Sequence, residues 1–350
     1  MPNEALDRRS GRPLRVLVVE DSAFFRGQLR RLLQEDGDIE VVGEAGDGRE
    51  AIAAARRLRP DLVTMDIEMP VLDGIAAVRE VMQIAPTRIL MLSALTRHGA
   101  DATFAALEAG ALDFVPKQSL QGEGAAASAR ALRERVRELA CDRASALAID
   151  EAAPPLRQAR HFAERPLLVI GASTGGPALI AELLADCAAH LPCAVLVVMH
   201  MPAGFTGYFA ERVARHCALP VVEACDGDAL LPGRVWIAPG GKQTTLRRGA
   251  RLELEVRDGE EADLYRPCID LTLASAAKLC GSRTLAVVAT GMGSDGAAGS
   301  RALREAGGLV WAQDRASSVV FGMPAAVINA GLAHEVVSAA ELGRRLRHGR

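Results

Sequence analysis

The chain has 350 residues, 49% of them apolar and 24% charged, with a formal net charge of -3. That length calls for two domains, each able to bury a core, and the weak charge argues against a nucleic-acid partner, which needs a basic surface. No apolar run reaches the roughly 20 residues of a membrane span, and residues 1–12 are charged with no hydrophobic segment behind them, so a cytoplasmic protein without membrane insertion is expected.

In chain order, β-branched runs over 15–19, 39–42, 62–65, 89–92 and 113–115 alternate with helical periodicity, as over 24–34 and 49–58. Such alternation implies a parallel sheet with helices on both faces. Beyond residue 143 the sequence turns Ala-rich and then polar, with no strand pattern. It is read as a linker over 142–164, between a first domain over 13–141 and a second over 165–350; residues 1–12 form an N-terminal tail. In the second domain strands are expected over 167–170, 194–199, 234–238, 284–289 and 308–312, with a hairpin within 244–256. Helices fit 177–187, 205–217, 267–280 and 296–305. Seven cysteines, at 141, 187, 193, 217, 225, 268 and 280, form no Cys-x-x-Cys pair, so small buried hydrophobes are expected in place of a zinc site or disulfide framework.

In the first domain, Glu20 and Asp21 follow the first strand and Asp66 ends the third. In an open parallel sheet, ligands sit beyond the carboxyl ends of the strands, where neighbouring first and third strands would gather these acids. Clustered carboxylates repel unless a cation joins them, and hard oxygen ligands suit Mg²⁺. Ser93 ends the fourth strand and Lys117 follows the fifth. A carboxylate nucleophile, a divalent cation and a lysine are what phosphoryl transfer needs. Taken singly, Asp21 fits a helix cap and Lys117 a solvated charge; it is their joint placement at strand ends that points to chemistry.

Three segments carry a resemblance: Val18-Val19-Glu20-Asp21-Ser22, the run from Met65 to Gly74, and Asp113-Phe114-Val115-Pro116-Lys117. They are similar to those of two-component receiver domains. The resemblance implies a flavodoxin-like (βα)5 fold with Asp66 as phosphoacceptor, and Mg²⁺ held by Glu20, Asp21, Asp66 and the Glu68 carbonyl. It further implies that Ser93 and Lys117 contact the phosphoryl group and that Phe114 changes rotamer on activation. Glu20 stands where many receivers have Asp, and Gln118 where a proline is common.

In the second domain, Gly171-Ala172-Ser173-Thr174-Gly175-Gly176-Pro177 joins a strand to a helix that Pro177 can start. Gly-x-Ser-x-Gly in that context fits a nucleophile elbow. The same turn also fits a phosphate or dinucleotide site, or a tight turn with no further role. His200 directly follows the apolar strand over 194–199, and Asp295 lies in the loop after the strand over 284–289. Imidazole is the usual base for a serine hydroxyl, and a carboxylate orients it. Alone, His200 fits a structural role and Asp295 an N-cap. The order Ser, His, Asp differs from that of the common α/β-hydrolases.

Residues 171–177, His200-Met201-Pro202, 237–242, Arg266-Pro267 with Asp270, 290–299 and 320–324 resemble the catalytic domain of chemotaxis protein-glutamate methylesterases. That family implies a doubly wound, mostly parallel α/β domain with Ser173 as nucleophile, His200 as general base and acid, Asp295 as the orienting acid and the Met292 N–H as oxyanion donor. Met199 and Cys268 depart from the glutamine and serine common there. The whole chain then resembles the full-length enzyme. The resemblance implies demethylation of methyl-accepting receptors with release of methanol, deamidation of receptor glutamines, and activation by a chemotaxis histidine kinase. A monomer is expected, with no cofactor beyond Mg²⁺. The unphosphorylated receiver is expected to cover the esterase mouth.

Overall fold

The computed structural model describes residues 12–121, 124–140, 165–260 and 263–348. The chain divides into two compact units, Met1–Ala148 and Ile149–Arg350. The expected linker over 142–164 and the tail, Arg12 apart, lie outside the described residues.

The first unit runs β1 (Leu14–Val19), α1 (Ala23–Gln34), β2 (Ile39–Ala45), α2 (Gly48–Leu58), β3 (Leu62–Asp66), α3 (Gly74–Ile84), β4 (Arg88–Ser93), α4 (Arg97–Glu108), β5 (Asp113–Pro116) and α5 (Ala125–Ala140). Its five strands are ordered β2-β1-β3-β4-β5 and pair in parallel. This is the flavodoxin-like order, and it sets β1 beside β3 at the point where the strand order reverses. β3 is buried along its whole length, which explains why it is apolar up to Asp66 but for the small hydroxyl of Thr64. The helices start on side-chain caps: Ser22 accepts from Phe25, Asp47 from Arg49 and Glu50, Asp73 from Ala76 and Thr96 from Gly99. Asp21 is thus not the cap of α1, because Ser22 holds that place, and its carboxylate stays with the acidic group.

The second unit runs β6 (Leu167–Ala172), α6 (Gly176–Ala185), β7 (Ala194–Met199), α7 (Phe205–Ala214), β8 (Val221–Glu223), β9 (Arg234–Ile237), β10 (Lys242–Arg248), β11 (Leu252–Asp258), α8 (Ile269–Leu279), β12 (Thr284–Val288), α9 (Ala297–Glu305), β13 (Leu309–Gln313), α10 (Gly322–Asn329), β14 (Glu335–Val337) and α11 (Ala339–His348). Seven strands form a parallel sheet ordered β14-β13-β12-β6-β7-β9-β8, and β10 and β11 make a separate antiparallel hairpin. The central strands β12, β6 and β7 are buried at every position, so they read as continuous apolar runs. The core over one face of the sheet joins Leu167, Val169, Leu196, Trp236, Ile269, Leu273, Ala286 and Val288, mostly small aliphatic side chains.

Four elements were not expected from the sequence. β8 and β14 are three residues each, too short for a period to show. α10 contains Gly322 and Pro324, which suggest a loop. Pro324 lies in the first turn of that helix, where a missing N–H costs no hydrogen bond. α11 is an amphipathic end helix whose buried contacts are Leu342 and Leu346.

Candidate active site and acidic cluster

Strands β12, β6 and β7 lie side by side, so the residues leaving their carboxyl ends must meet. Ser173 follows β6, His200 follows β7, and the loop from Thr290 to Asp295 follows β12. Backbone hydrogen bonds join the three: His200 N–H donates to Ala172 O at 3.1 Å and Ser173 N–H to Thr290 O at 2.9 Å. The β12 loop is pinned in turn by Gly291 N–H to Val320 O, 3.0 Å, and Met323 N–H to Gly291 O, 2.9 Å. Gly291 has to be glycine, because a Cβ there would stand 2.8 Å from Ser173 Cβ and 2.3 Å from Met323 Sδ. Met292 is the next residue along this loop.

His200 Nε2–H donates to Asp295 Oδ2 at 2.7 Å. With Nε2–H given to the carboxylate, Nδ1 is the ring nitrogen that keeps a lone pair. Asp295 is only 4% exposed. Oδ2 also accepts from Ile269 N–H at 2.8 Å, while Oδ1 accepts from Asp270 N–H at 2.9 Å, Gly296 N–H at 3.0 Å and Cys268 Sγ at 3.4 Å. Ile269 and Asp270 open α8, so its dipole and free amides face a buried anion. Burial by itself pushes this carboxyl up, but the hydrogen bond and charge of His200 and the two amides outweigh it and hold Asp295 below the ordinary carboxylate range. The N-cap role that Asp295 would fit if taken alone is filled by Gly296, at φ 96°.

Sequence reasoning missed two residues. Tyr265 stacks on His200 with ring centroids 4.3 Å apart and planes 3° from parallel. Gln243 on β10, fully buried, holds the segment carrying that ring. Its Nε2 donates to Tyr265 O at 2.8 Å and Asp263 Oδ2 at 3.0 Å, and its Oε1 accepts from Cys268 N–H at 2.9 Å. Arg266-Pro267, a cis peptide, follows Tyr265 directly and was the only local signal. Tyr265→Phe is expected to keep the stack and the turnover. Tyr265→Ala should lose about 1 kcal/mol of ring positioning, roughly a fivefold fall in kcat, with a changed kcat–pH profile and little change in KM. Equal kcat and pH profiles for the two variants would show that the ring does not position His200.

The glycine-rich turn is not shaped for a dinucleotide. Residues 173–176 are buried, and a Cβ at Gly175 would meet Val319 at 2.6 Å and Thr290 Oγ1 at 3.3 Å. Pyrophosphate would have to displace the packed 319–320 segment to reach these amides.

In the first unit the ends of β1 and β3 bring one oxygen each of Glu20, Asp21 and Asp66 within 4.8 Å of one another. Lys117, after β5, lies 2.7 Å from both Glu20 Oε2 and Asp66 Oδ1. Asp66 Oδ1 also accepts from Ile67 N–H at 2.7 Å, while Oδ2 is buried without a hydrogen-bond partner among the described residues. Burial raises the pKa of Glu20 and Asp66 against the pull of Lys117, and their mutual repulsion adds to the rise at Glu20. Lys117 is lowered by burial but raised more by its two carboxylates, so it stays charged. Asp21, Asp66, Glu68, Ala94, Gly99 and Lys117 line a cavity of about 220 Å³ at this cluster. An unpartnered carboxylate oxygen among hard oxygen donors fits a divalent metal ion, and this cluster can bind one.

Ser93 is the one expected phosphoryl contact that the structure turns elsewhere. Its Oγ lies 2.5 Å from Thr103 Oγ1 and donates to Ala94 O at 3.2 Å, so it is engaged with α4. Phe114 is buried and meets Phe104 edge-on at 6.4 Å.

Two family models match the chain, the response regulator receiver domain over residues 16–128 and CheB methylesterase over 168–346. The protein-glutamate methylesterase/protein-glutamine glutaminase 4 of Hahella chejuensis is 41% identical, the match covering 96% of this chain and 99% of that one. A Pseudomonas aeruginosa protein-glutamate methylesterase/protein-glutamine glutaminase is also 41% identical, over 95% of this chain and 98% of its own. The crystal structure of the Thermotoga maritima CheB methylesterase catalytic domain superposes with a TM-score of 0.50 at 37% identity, covering 53% of this chain and 98% of that domain. With a receiver fold ending in an acidic cluster and a parallel sheet that gathers Ser173, His200 and Asp295, this chain belongs to the CheB methylesterase family in its receiver-linked, two-domain form.

Proposed function

We propose that the chain is a phosphorylation-activated protein-glutamate methylesterase, with glutaminase activity at the same site, acting on methyl-accepting chemotaxis receptors. The observation that supports it most is the His200–Asp295 hydrogen bond of 2.7 Å at the strand end adjoining Ser173. Ser173 Oγ attacks the γ-carbonyl carbon of a glutamate methyl ester while His200 Nδ1 takes its proton. The Met292 N–H stabilises the oxyanion. Collapse breaks the bond to the methoxy group, and His200 returns the proton to release methanol. Water, deprotonated by His200, then attacks the acyl-serine and frees the glutamate carboxylate. With a glutamine side chain the leaving group is ammonia. Asp295 stabilises the imidazolium throughout and keeps the proton on Nε2 between turnovers.

In the receiver, Asp66 Oδ2 is the phosphoacceptor oxygen: it bonds to the phosphorus carried on the phosphohistidine of a chemotaxis kinase as the P–N bond breaks and the histidine leaves. Glu20, Asp21, Asp66 and the Glu68 carbonyl would hold Mg²⁺, which when bound would supply neutralising charge for a phosphoryl group at this rim. Lys117 pairs with the phosphoryl oxygens, and contact from Ser93 requires its Oγ to leave Thr103. The receiver spans 13–141 and the esterase 165–350, joined by a linker over 142–164, in a cytoplasmic monomer. Among the described residues no helix is long and apolar enough to cross a membrane.

The test is methanol release from radiolabelled, methylated receptor membranes by the intact chain, with and without Mg²⁺ and a small phosphodonor. Release that rises with the phosphodonor is expected. No release from several receptor types, with Asp66 shown to be phosphorylated, would favour a receiver whose second domain only binds a partner.

A further inference from the structure

We propose that Cys187 and Cys217 are a peroxide-reactive thiol pair that closes to an intramolecular disulfide, a modification site outside the Ser173–His200–Asp295 centre. Cys187 follows α6 and Cys217 follows α7, and their Sγ atoms lie 3.5 Å apart although 30 positions separate them in the chain. Cys217 Sγ also accepts from Leu219 N–H at 3.4 Å. Either thiol can donate across the sulfur–sulfur contact, but of these two contacts only the amide one is one-way, so Cys217 is the sulfur better placed to hold a thiolate. The Cys217 thiol is accordingly lowered, chiefly by the hydrogen bond from Cys187, and the Cys187 thiol is raised by that same bond and by burial.

Exposure assigns the roles. Cys217 is half-buried and meets solvent, whereas Cys187 is buried behind it. The other described cysteines lack this combination. Cys193 and Cys280 are buried with raised thiols, burial and then the charge of Asp295 push Cys268 up to about 12, and Cys225 is exposed. The Cys217 thiolate attacks one oxygen of hydrogen peroxide, the O–O bond breaks, and hydroxide leaves, giving a sulfenic acid. The Cys187 thiol then attacks that sulfur, the S–OH bond breaks and water leaves with the Cys187 proton. The two cysteines lose two electrons and the peroxide gains them; a dithiol reverses the step by exchange. Only a short approach separates thiols in contact from a bond of about 2.0 Å.

The position links this site to the catalytic one. α6 begins at the turn that follows Ser173, and α7 begins just beyond His200. The cross-link would tie the far ends of those two helices and enclose β7 and His200 in a covalent ring.

The experiment treats the full chain with hydrogen peroxide, alkylates the remaining thiols and maps unreduced peptides by mass spectrometry. A linked Cys187–Cys217 peptide pair, lost on adding a dithiol, is expected in the wild type. Cys187→Ser should hold Cys217 as a sulfenic acid that a 1,3-dione reagent traps roughly tenfold faster than any adduct at exposed Cys225. Cys217→Ser should leave Cys187 unoxidised under the same conditions. The wild-type cross-link is read without any variant, so a variant that folds poorly does not protect the proposal. Oxidation of Cys225 ahead of the pair, or of Cys217 without any link to Cys187, would overturn it.

Discussion

Asp295→Asn is expected to slow methanol release by roughly 10⁴-fold, and Ser173→Ala to abolish it, with both chains folded. The reason for the first lies in donor and acceptor count. Asp295 Oδ2 accepts from His200 and Ile269, and Oδ1 from Asp270, Gly296 and Cys268. An asparagine offers one oxygen to these donors and turns an NH₂ group on the rest. If the NH₂ faces His200, Nε2 becomes the acceptor and the ring proton moves to Nδ1. The nitrogen assigned to take the serine proton then carries a hydrogen where a lone pair is required.

The same substitution should cost about 3 kcal/mol of stability at neutral pH, because buried donors lose their anion. Its pH dependence follows from the depressed carboxyl. A group whose folded pKa lies below its unfolded value contributes stability above the unfolded pKa, near 3.8, and loses it as pH falls through the folded value. The gap between wild type and Asp295→Asn should therefore be constant from neutral pH down to the ordinary carboxylate range and then close. Denaturant midpoints across that range measure it. Near-normal turnover in Asp295→Asn would remove Asp295 from the catalytic relay.

Asp66→Asn is expected to abolish stimulation by phosphodonor while leaving unstimulated methanol release unchanged, since an amide cannot form the acyl phosphate. It should also stabilise the receiver at neutral pH. Burial raises the pKa of Asp66 and Glu20, so their ionised forms are a destabilisation in the folded state. For a raised carboxyl the penalty is full above the folded pKa and is relieved as pH falls toward the ordinary values of 3.8 and 4.5. Wild type should gain on Asp66→Asn as the solution is acidified. Mg²⁺ should raise the receiver's melting temperature at neutral pH, and that gain should fade in acid as protons compete for the same oxygens. Full phosphodonor stimulation in Asp66→Asn, or a Mg²⁺ effect independent of pH, would contradict the assignment.

Much of the fold was legible because parallel strands buried on both faces must be apolar throughout. The strand expected over 194–199 is β7 as observed, and the carboxyl ends of the strands are where the sequence places Ser173, His200, Glu20, Asp66 and Lys117. Alternation of strand and helix then fixes which ends share a rim, since a parallel sheet sends all its strands the same way. The short strands β8 and β14 and the helix α10 were not legible. Three residues carry no period, and Gly322 with Pro324 imitates a loop.

What lay beyond the sequence was every contact decided by packing between distant segments. His200 and Asp295 are 95 positions apart, and only the tertiary structure decides that Nε2, not Nδ1, meets the carboxylate. Gln243 holds the Tyr265 segment, Ser93 turns to Thr103, and Cys187 meets Cys217, each through side-chain orientation that no local pattern encodes. Which residues stand at the strand ends can be read along the chain, because backbone hydrogen bonding and apolar burial are repeated, local rules. The tertiary structure decided which atoms of those residues touch, because that depends on rotamers chosen jointly by neighbours from far along the chain.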